Sequence, residues 1–398
     1  MAGPLEGYRI LDLTQMISGP IATMMLGDQG ADVIKVEPPG VGDLVRRIGP
    51  SRAGIAPIFA TSNRSKRSIA LDLKHPGGLD ALLRIAATAD CFVQNFRPGT
   101  AQRMGLGEDA IRAVRKDVVY VSISGFGETG PYAGKRVYDP VIQALSGLAA
   151  IQGDRVTGRP RMVRTILPDK LTAVTAAQAI TAALLARERS GEGQHVKLAM
   201  LDAMVSFLWP EAMARYTFVR EGDDHEDGPA RTPQVRDLVF ETADGFITAG
   251  TVSDREWAAF AQTVGHPEWT DDPRFSTSAA RVTHWDERLE RMQEALVTRS
   301  SAEWLERLDA AGVPCAPISS RSDLLADPQI AANQLIVETD HPHVGRVRQT
   351  RPAARFERTP AEIRRPAPTL GEHSDEILRE VGVPAEEIAR LRGSGAVV

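Results

Sequence analysis

The stretch Tyr8-Arg-Ile-Leu-Asp-Leu13 has the pattern of a short β-strand, and Asp32-Val-Ile-Lys-Val-Glu37 has the pattern of the next one. Between them lies Gly19-Pro-Ile-Ala-Thr-Met-Met-Leu-Gly27, which has helical character, and Pro20 suits the first turn of a helix. A strand, a helix and a second strand in this order predict two parallel strands joined by a helix.

Strand-like and helix-like segments alternate through the N-terminal half of the chain. Further strands are expected at Ser68–Leu73, Cys91–Val93, Val118–Ser124 and His195–Ala199, and helices at Pro76–Ala87, Lys170–Arg189 and Asp202–Arg220. This alternation predicts an α/β fold with a mostly parallel sheet. In such folds, nucleotide-like ligands bind outside the carboxyl ends of the strands.

The composition changes after this region. The segment Glu221-Gly-Asp-Asp-His-Glu-Asp-Gly228 is acidic and punctuated by glycine, which is typical of a linker or an exposed loop. A second unit begins near Gln234, with a hairpin signal at Ala243-Asp-Gly245. The elements expected after it are helices at Asp254–Val264, His284–Val297 and Ser301–Ala311, an extended segment at Val313–Pro317, and a tail that is helical to Leu391.

Charge and cysteine content exclude several classes of protein. The chain has 47 Lys plus Arg against 52 Asp plus Glu, a net charge of −5, which argues against a nucleic-acid partner. Cys91 and Cys315 are the only cysteines, so we expect a reducing compartment and no disulfide scaffold. Residues 1–12 lack a signal-peptide pattern, and Thr172–Ala186 is too short to span a bilayer. We therefore expect a cytoplasmic protein with no membrane partner.

Familiar cofactor and metal motifs are weak in this chain. Gly125-Phe-Gly-Glu-Thr-Gly130 fits the dinucleotide pattern G-x-G-x-x-G, but Pro131 and Gly134 follow at once. We therefore interpret the segment as a loop near some ligand rather than the start of a helix. His341 and His343 alternate without acidic partners at helical spacing, so no metal site is predicted.

Basic residues cluster at the ends of the predicted strands or just outside them. They are Arg64, Lys66, Arg67, Lys74, Arg97, Arg103, Lys135 and Arg136. If these cations converge on one rim they could hold phosphates, whereas the alternative is an ordinary solvated face.

Asp169, in Leu167-Pro-Asp-Lys170, comes just before a long predicted helix. One interpretation is an N-cap, whose carboxylate accepts hydrogen bonds from free amides. The other is a chemical role, since a carboxylate with an ordinary pKa of ~3.9 is ionised at neutral pH and can attack an activated acyl group. The two roles are compatible because helix-start amides stabilise a carboxylate.

Short motifs also occur in a fixed order along nearly the whole chain. They are Gly19-Pro20, Gly30-Ala-Asp-Val-Ile-Lys-Val-Glu-Pro-Pro-Gly40, Asn63-Arg-Ser-Lys-Arg-Ser68, Leu71-Asp-Leu-Lys74, Asn95-Phe-Arg-Pro-Gly99, Ser124-Gly-Phe-Gly127, Tyr138-Asp139, Arg187-Glu-Arg-Ser-Gly-Glu-Gly-Gln194 and Leu370-Gly-Glu-His373. As an ordered set they resemble the family III CoA transferases, the group of formyl-CoA transferase and carnitine-CoA transferase, long labelled L-carnitine dehydratase/bile acid-inducible protein F.

The resemblance implies a reaction and a nucleophile. Asp169 occupies the place of the family's catalytic aspartate, which attacks an acyl-CoA thioester to give an aspartyl mixed anhydride and then an enzyme–CoA thioester. An acceptor carboxylic acid completes the exchange, so CoA thioester is a substrate and no tightly bound cofactor is expected. The positions implied to contact CoA are Ile17, Ser18, Leu71, Asp72, Leu73, Lys74, Asn95, Phe96, Arg97, Arg103, Arg136, Val137 and Tyr138.

The resemblance also implies a Rossmann-like large domain with a parallel sheet, built from both chain ends, and a smaller α+β domain. The implied boundaries are 1–220 for the N-terminal part of the large domain, 221–233 for a linker, 234–320 for the small domain, and 321–398 for a linker and the C-terminal return to the large domain. Two such chains are expected to interlock as rings in a homodimer.

The chain departs from some members of this group. Ile17 and Pro38 stand where some members have Gln and Arg, and Thr248-Ala-Gly-Thr251 lacks the glycine run of formyl-CoA transferases, which argues against oxalate or formate as substrate. The related α-methylacyl-CoA racemases place a histidine near the position of Tyr138, so we prefer transfer over racemisation. A CoA-binding protein without turnover and a nicotinamide-dependent oxidoreductase are the remaining alternatives.

Overall fold

The computed structural model describes residues 3–219 and 237–398, so the predicted linker at 221–233 lies outside the described residues. The strands are β1 (Arg9–Asp12), β2 (Asp32–Glu37), β3 (Lys66–Ala70), β4 (Cys91–Gln94), β5 (Val119–Ser124), β6 (His195–Ala199), β7 (Phe240–Glu241), β8 (Phe246–Ala249), β9 (Cys315–Pro317), β10 (Ile336–His341) and β11 (Gly345–Thr350).

Helices connect and flank these strands. They are α1 (Ser18–Asp28), α2 (Pro57–Ser62), α3 (Pro76–Ala86), α4 (Thr100–Arg103), α5 (Glu108–Val114), α6 (Asp139–Leu145), α7 (Leu148–Ile151), α8 (Leu167–Ser190), α9 (Met200–Ala212), α10 (Asp254–Val264), α11 (Ser278–Thr283), α12 (Trp285–Leu296), α13 (Ser301–Ala310), α14 (Pro328–Ala332), α15 (Ser374–Glu380) and α16 (Ala385–Gly393). Within the described ranges, each helix is too short or too polar to cross a bilayer.

A six-stranded parallel sheet confirms the predicted α/β fold. Its order is β3-β2-β1-β4-β5-β6, and Ile10 of β1 lies beside Val33 of β2 on one side and Cys91 of β4 on the other. The strand order reverses between β1 and β4, and such a reversal opens a crevice outside the carboxyl ends of the strands. The fold therefore places a ligand site where the chain leaves these two strands.

Alternate residues of the strands face opposite layers of helices, as the period of two requires. Ile10, Val33 and Cys91 belong to a buried cluster with residues of α1 and α8. Leu11 and Ile34, one position later in their strands, belong to a second cluster with residues of α3, α15 and α16. Burial on both faces explains why these strands are short apolar runs in the sequence.

Strand β3 begins at Lys66 and ends at Ala70, earlier than the predicted Ser68–Leu73. Its first polar residues are buried because each has a partner: Lys66 Nζ lies 2.9 Å from Asp12 Oδ2, and Ser68 Oγ donates to Glu37 Oε1 at 2.8 Å. Charged residues in a sequence indicate an exposed segment unless such partners are known, which is why the prediction started too late.

The large compact unit combines the described residues up to Gln152 with Pro160–Phe218 and Asn333–Val398. Its C-terminal part reaches the sheet, because Val397 forms a β-bridge with Leu71, and Asp72 donates its backbone N–H to the Ala396 carbonyl at 2.9 Å. The chain returns to this unit at Asn333, within the segment 321–398 that was predicted to contain a linker and the return.

Residues 333–350 contain an antiparallel hairpin, β10–β11, where the sequence indicated only a loop around His341 and His343. Its exposed ion pairs, Arg346 and Arg348 with Glu338, replace the apolar alternation that would have marked the strands. His341 is buried with its Nε2 2.8 Å from the Ala367 carbonyl oxygen. Residues 3–219 and 237–398 contain no cluster of three or more His, Cys, Asp or Glu suited to a metal ion.

The second compact unit comprises Gly153–Arg159 and the described residues of Val219–Ala332. It contains the antiparallel sheet β7-β8-β9, and the helices α10, α12 and α13 lie within two residues of their predicted ends. Trp257, Phe260 and Trp304 are the largest members of its buried core. A core of its own supports the prediction that this region folds as a separate small domain.

Candidate active site

The loops that follow β1 and β4 are joined directly at the point where the strand order reverses. Asn95 Oδ1 accepts the backbone N–H of Gln15 at 2.9 Å, and Asn95 Nδ2 donates to the Gln15 carbonyl at 2.8 Å. One side chain therefore satisfies both backbone groups of a residue in a distant loop. This pair fixes the two walls of the crevice relative to each other.

A cavity of about 350 Å³, here called the larger cavity, lies beside this pair within the large unit. Its lining residues come from the ends of β1, β4 and β5, from the loop before α6, and from the first turns of α8 and α9. They are Gln15, Met16, Ser18, Asn95, Phe96, Arg97, Pro98, Ile123, Ser124, Gly125, Phe126, Ala133, Lys135, Arg136, Val137, Tyr138, Asp169 and Met200.

Asp169 is the third residue of α8, so the N-cap interpretation of this side chain is wrong. The N-cap position belongs to Ile166, whose side chain is apolar. The backbone N–H of Asp169 is instead accepted by Asp139 Oδ2 at 3.2 Å, and Asp139 Oδ1 accepts Gln143 Nε2 at 2.6 Å. A carboxylate from another helix thus satisfies this amide. The Asp169 residue itself lines the larger cavity.

The electrostatic environment of Asp169 differs from that of an ordinary surface carboxylate. Burial raises the pKa of Asp169 to about 6, and the negative charge of Asp139 adds to that rise. Hydrogen bonds from the hydroxyl and the backbone N–H of Ser18 act in the opposite direction and lower the pKa. The sequence-based expectation of an ordinary pKa is therefore corrected. At pH 7 the group is still ionised in about nine molecules of ten, so it combines a neutral-pH charge with higher basicity than a free aspartate.

A neighbouring cavity of about 150 Å³, here called the smaller cavity, lies at the ends of β1, β2 and β3. Leu71, Asp72, Leu73 and Lys74, all predicted as ligand contacts, line it together with Leu13, Val36, Glu37, Pro38 and Met104. Gln15 and Phe96 line both cavities. The two cavities therefore share a wall, and the residues implied by resemblance divide between them.

Most of the predicted site residues come together, but two do not. Ser18, Asn95, Phe96, Arg97, Arg136, Val137, Tyr138 and Asp169 line the larger cavity. Ile17 lines neither cavity, because it is buried in an apolar cluster that includes Val45 and Phe59. Arg103 is exposed on α4, donates to Thr100 Oγ1 at 2.8 Å, and lines neither cavity.

The basic residues separate into two groups rather than meeting on one rim. Arg97, Lys135 and Arg136 line the larger cavity and Lys74 lines the smaller one, and none of the four has a carboxylate partner among the described residues. Arg64, Lys66 and Arg67 lie before or within β3, where Asp28, Asp12 and Asp32 neutralise them. These three therefore hold the fold together, and the four unpaired cations are available to an anionic ligand.

Several lining residues were not identified from the sequence. Gln15, Met16 and Met200 carried no motif of their own, and Met16 has a left-handed backbone with φ of 70°. Its N–H is accepted by buried Asp43 Oδ1 at 3.0 Å, which holds this strained turn. A non-glycine residue in such a conformation persists only when its surroundings fix it, so this signal exists in the structure alone.

The glycine-rich segment 125–130 lies in a loop, as predicted, and α6 begins only at Asp139. Gly125 allows that loop to close on the cavity, because an added Cβ would lie 2.5 Å from Val137 Cγ1. Its role is therefore close approach of two loop segments rather than a dinucleotide fingerprint at the start of a helix.

Residues 5–374 match the family model described as CoA-transferase family III. Along 95% of its length the chain is 36% identical to succinyl-CoA:glutarate CoA-transferase from Homo sapiens, of which the match covers 86%. It is 33% identical to formyl-CoA:oxalate CoA-transferase from a Bradyrhizobium species, over 100% of this chain and 98% of the relative. The crystal structure of Rv3272 from Mycobacterium tuberculosis superposes with a TM-score of 0.83 at 30% identity, covering 94% of this chain and 99% of that one.

Proposed function

The chain belongs to CoA-transferase family III, so it is an enzyme that transfers CoA between an acyl-CoA and a carboxylic acid, and we propose that Asp169 is the nucleophile of this transfer. The observation that supports this role is the position of the Asp169 carboxylate. It lies in the first turn of α8, in a cavity with three unpaired cations, and it has a pKa of about 6.

The proposed reaction proceeds in four acyl transfers that conserve the thioester bond energy. An Asp169 oxygen attacks the thioester carbonyl carbon, the C–S bond breaks, and CoA thiolate leaves an aspartyl mixed anhydride. The thiolate attacks the aspartyl carbonyl and expels the first acid, which gives an Asp169–CoA thioester. The acceptor carboxylate then attacks that thioester, and the released thiolate takes the acceptor acyl group from the second anhydride, which restores Asp169.

The surroundings of Asp169 suit these steps. Its raised pKa makes the ionised carboxylate a better nucleophile than a free aspartate, while the group is still mostly charged at neutral pH. The amino end of α8 favours negative charge in its first turn, where thiolate and carboxylate charges are exchanged. Apolar side chains of Ile123, Phe126 and Met200 line the same cavity, and we infer that they limit hydrolysis of the anhydrides by water.

CoA is proposed to lie across the two cavities, along the wall formed by Gln15 and Phe96. The smaller cavity, lined by Leu71 to Lys74, and the cations Arg97 and Arg136 suit the nucleotide end and its phosphates. Asp169 then lies at the thioester end. CoA enters as a substrate in this proposal, and the reaction needs no tightly bound cofactor.

We propose small carboxylic acids as donor and acceptor, and dicarboxylic acids are the first choice for assay. This choice follows the name of the relative that is 36% identical, which acts on succinyl-CoA and glutarate. The expectation against oxalate and formate rests on Thr248–Thr251 alone and stays a prediction. A panel of acids at fixed succinyl-CoA concentration tests both statements.

An interlocked homodimer in the cytoplasm completes the proposal. Val174 and Leu185 of α8 and Phe207 and Trp209 of α9 are exposed apolar side chains in the single chain, which supports a covered surface in an oligomer. Cys91 and Cys315 are free thiols, which supports a reducing compartment. Light scattering of the purified chain measures the mass, and a monomer at micromolar concentration would contradict the dimer.

Isotope transfer and trapping test the nucleophile directly. With an ¹⁸O-labelled acceptor acid, each turnover should leave one ¹⁸O atom in the carboxylate of Asp169, which mass spectrometry of the peptide detects. Hydroxylamine added with acyl-CoA should convert Asp169 to a hydroxamate, and Asp169→Ala should reduce transfer by at least ~10³-fold. Asp202→Ala removes an exposed carboxylate on α9 that lines neither cavity, so it is the matched control and should transfer CoA normally.

Three results would overturn this assignment. Transfer that persists at the normal rate in Asp169→Ala would exclude this nucleophile. Deuterium exchange at the α carbon of an acyl-CoA without any acceptor acid would favour a racemase. Tight CoA binding with no turnover across the acid panel would favour a binding protein.

A further inference from the structure

Four polar side chains, from α5 and the strands β4, β5 and β6, form a continuous hydrogen-bonded series, here called the β4–β6 relay. Glu108 Oε2 lies 2.7 Å from His195 Nδ1, and His195 Nε2 lies 2.9 Å from Ser122 Oγ. Gln94 Nε2 donates to Ser122 Oγ at 2.8 Å, and Gln94 Oε1 accepts the backbone N–H of Phe96 at 2.8 Å. The series therefore ends on a residue that lines both cavities.

The direction of each hydrogen bond follows from the two ends of the series, because the group at each end has only one possible role. The Phe96 N–H can only donate, so the oxygen of Gln94 faces it and the amide hydrogens face Ser122. The ionised Glu108 carboxylate can only accept, so Nδ1 of His195 carries a proton and donates it. In the neutral imidazole Nε2 is then the acceptor, so Ser122 Oγ donates to it and accepts from Gln94.

The relay spans three adjacent strands and is built into the sheet. Gln94 of β4 and Ser122 of β5 are paired in register, and His195 of β6 pairs with Tyr120 of β5. The His195 ring also contacts the edge of Tyr120 with 4.9 Å between ring centroids. Gln94 and Ser122 are 6% and 7% exposed, so a lost partner would leave a buried polar group unsatisfied.

A serine, a histidine and a carboxylate at these distances have the spacing of a hydrolytic triad. Ser122 does not act in that way here, because its Oγ already accepts from Gln94 and it lines neither of the two cavities described above. The side chain of Asn95 is already used to hold Gln15, so the backbone of Phe96 depends on Gln94. The relay thus ends on the backbone of the Asn95-Phe96-Arg97 loop and does not end at a cavity.

We propose that Gln94, Ser122 and His195 are positioning residues that hold the Asn95-Phe96-Arg97 loop in the shape that binds acyl-CoA. Each member orients the next, and the carboxylate of Glu108 fixes the first. The inference rests on the proposed binding of CoA along Phe96. In this role the three residues increase the affinity for acyl-CoA and take no part in the chemical steps at Asp169.

Kinetics of two variants separate affinity from chemistry. Ser122→Ala and Gln94→Met should each raise KM for acyl-CoA, and the Kd of CoA measured by titration calorimetry, by about tenfold. Ser122→Ala removes the partner of Gln94 Nε2 and of His195 Nε2, and Gln94→Met removes the acceptor of the Phe96 N–H. The value of kcat should stay within about twofold. Ser122→Thr keeps a hydroxyl and should restore most of the affinity. Ser62→Ala removes another buried serine hydroxyl, on α2 and outside the lining of both cavities, and should lower stability without changing KM.

Nitrogen NMR of selectively labelled histidine supplies a readout independent of activity. The His195 signal, identified by its loss in His195→Gln, should show a protonated Nδ1 and an unprotonated Nε2 at pH 8. In Gln94→Met, the Ser122 hydroxyl loses its amide donor and the Nε2 shift should change, while Nδ1 stays bonded to Glu108.

The outcomes distinguish this inference from the proposed function. Unchanged Kd and KM in both variants, or a proton on Nε2 of His195, would overturn the relay even if Asp169 is the nucleophile. Loss of the Asp169 assignment with a tenfold loss of CoA affinity in the variants would keep the relay and reject only the chemistry. Acyl-CoA hydrolysis that requires Ser122 and is blocked by a serine-directed reagent would show that Ser122 is a nucleophile and would overturn the positioning role.

Discussion

The carboxylate of Asp139 holds the backbone N–H of Asp169, with 3.2 Å between Oδ2 and the amide nitrogen. Asp139 is 4% exposed, and its other oxygen is held by Gln143. Burial of Asp169 raises its pKa, and the buried negative charge of Asp139 beside it raises the pKa further. Asp139 therefore both holds the first turn of α8 in place and increases the basicity of the Asp169 carboxylate.

Asp139→Asn should shift the acid limb of the activity profile to lower pH. Asp169 must be ionised to attack, so activity of the natural chain should fall as the pH drops through about 6. The amide oxygen of Asn still accepts the Asp169 N–H, whereas the repelling charge is gone, so the pKa of Asp169 falls. The measurement is kcat/KM against pH. An acid limb that stays at the same pH would contradict the coupling, and Asp202→Asn on α9 is the control.

Asp169→Asn should stabilise the fold at pH 7 while abolishing transfer. The folded pKa of about 6 exceeds the unfolded value of ~3.9, so the folded state binds more protons between these values and stability falls as pH rises through that range. A neutral amide avoids this cost, which corresponds to at most about 3 kcal/mol at pH 7. Urea midpoints at pH 7 and pH 4.5 measure it: the advantage of the variant should shrink at the lower pH. Equal midpoints at pH 7 would argue that Asp169 is solvated.

Gly125→Ala should weaken acyl-CoA binding by displacing a cavity wall. The new Cβ would lie 2.5 Å from Val137 Cγ1, so the loop carrying Arg136 and Tyr138 must move away. We expect KM for acyl-CoA to rise about tenfold, which is about 1.4 kcal/mol of binding energy. Gly134→Ala in the same loop is the control, since its added Cβ meets no described atom within 4 Å. Equal KM values for the two variants would reject the close-approach role of Gly125.

Lys66→Met should destabilise the large unit by about 3–5 kcal/mol, because it leaves the fully buried carboxylate of Asp12 without its cation. The lysine also donates to Asn63 Oδ1 and to the Pro20 carbonyl, both at 2.9 Å. Urea denaturation measures the loss. Arg348→Met breaks an exposed pair with Glu338 and should cost at most about 1 kcal/mol. A small effect of Lys66→Met would mean that water replaces the lysine.

The architecture of the large unit is predictable from its sequence because burial on both faces turns each strand into a short apolar run. Ile10, Val33 and Cys91 are adjacent in the sheet and apolar in the sequence. Strand β3 shows where this reasoning stops, since Lys66 and Arg67 are buried by partners that are far away in the chain. Pairing of that kind has no local pattern. The hairpin β10–β11 was missed for a related reason: ion pairs hold its surface instead of apolar residues.

The candidate site was likewise predictable where a sequence motif marks it and not where it depends on contacts between distant residues. The segments Asn95–Arg97 and Arg136–Tyr138 were found because resemblance marked them, and the structure brings them to one cavity with Asp169. Asp139 belongs to a recognised motif, yet its contact with Asp169 joins residues 30 positions apart and had no signal in the sequence. Position 17 was carried over from the family pattern although the chain has Ile17 where some members have Gln, and the structure places that side chain in an apolar cluster.

The β-bridge between Leu71 and Val397 has a consequence for the order of events on the ribosome. The turn Leu71–Lys74 forms part of the smaller cavity, and its backbone is held by Ala396, which is translated more than three hundred residues later. The nascent N-terminal half therefore emerges with this edge of its sheet unsupported until the residues around Ala396 have been made and have docked. The proposed nucleotide end of the site is complete only after that docking.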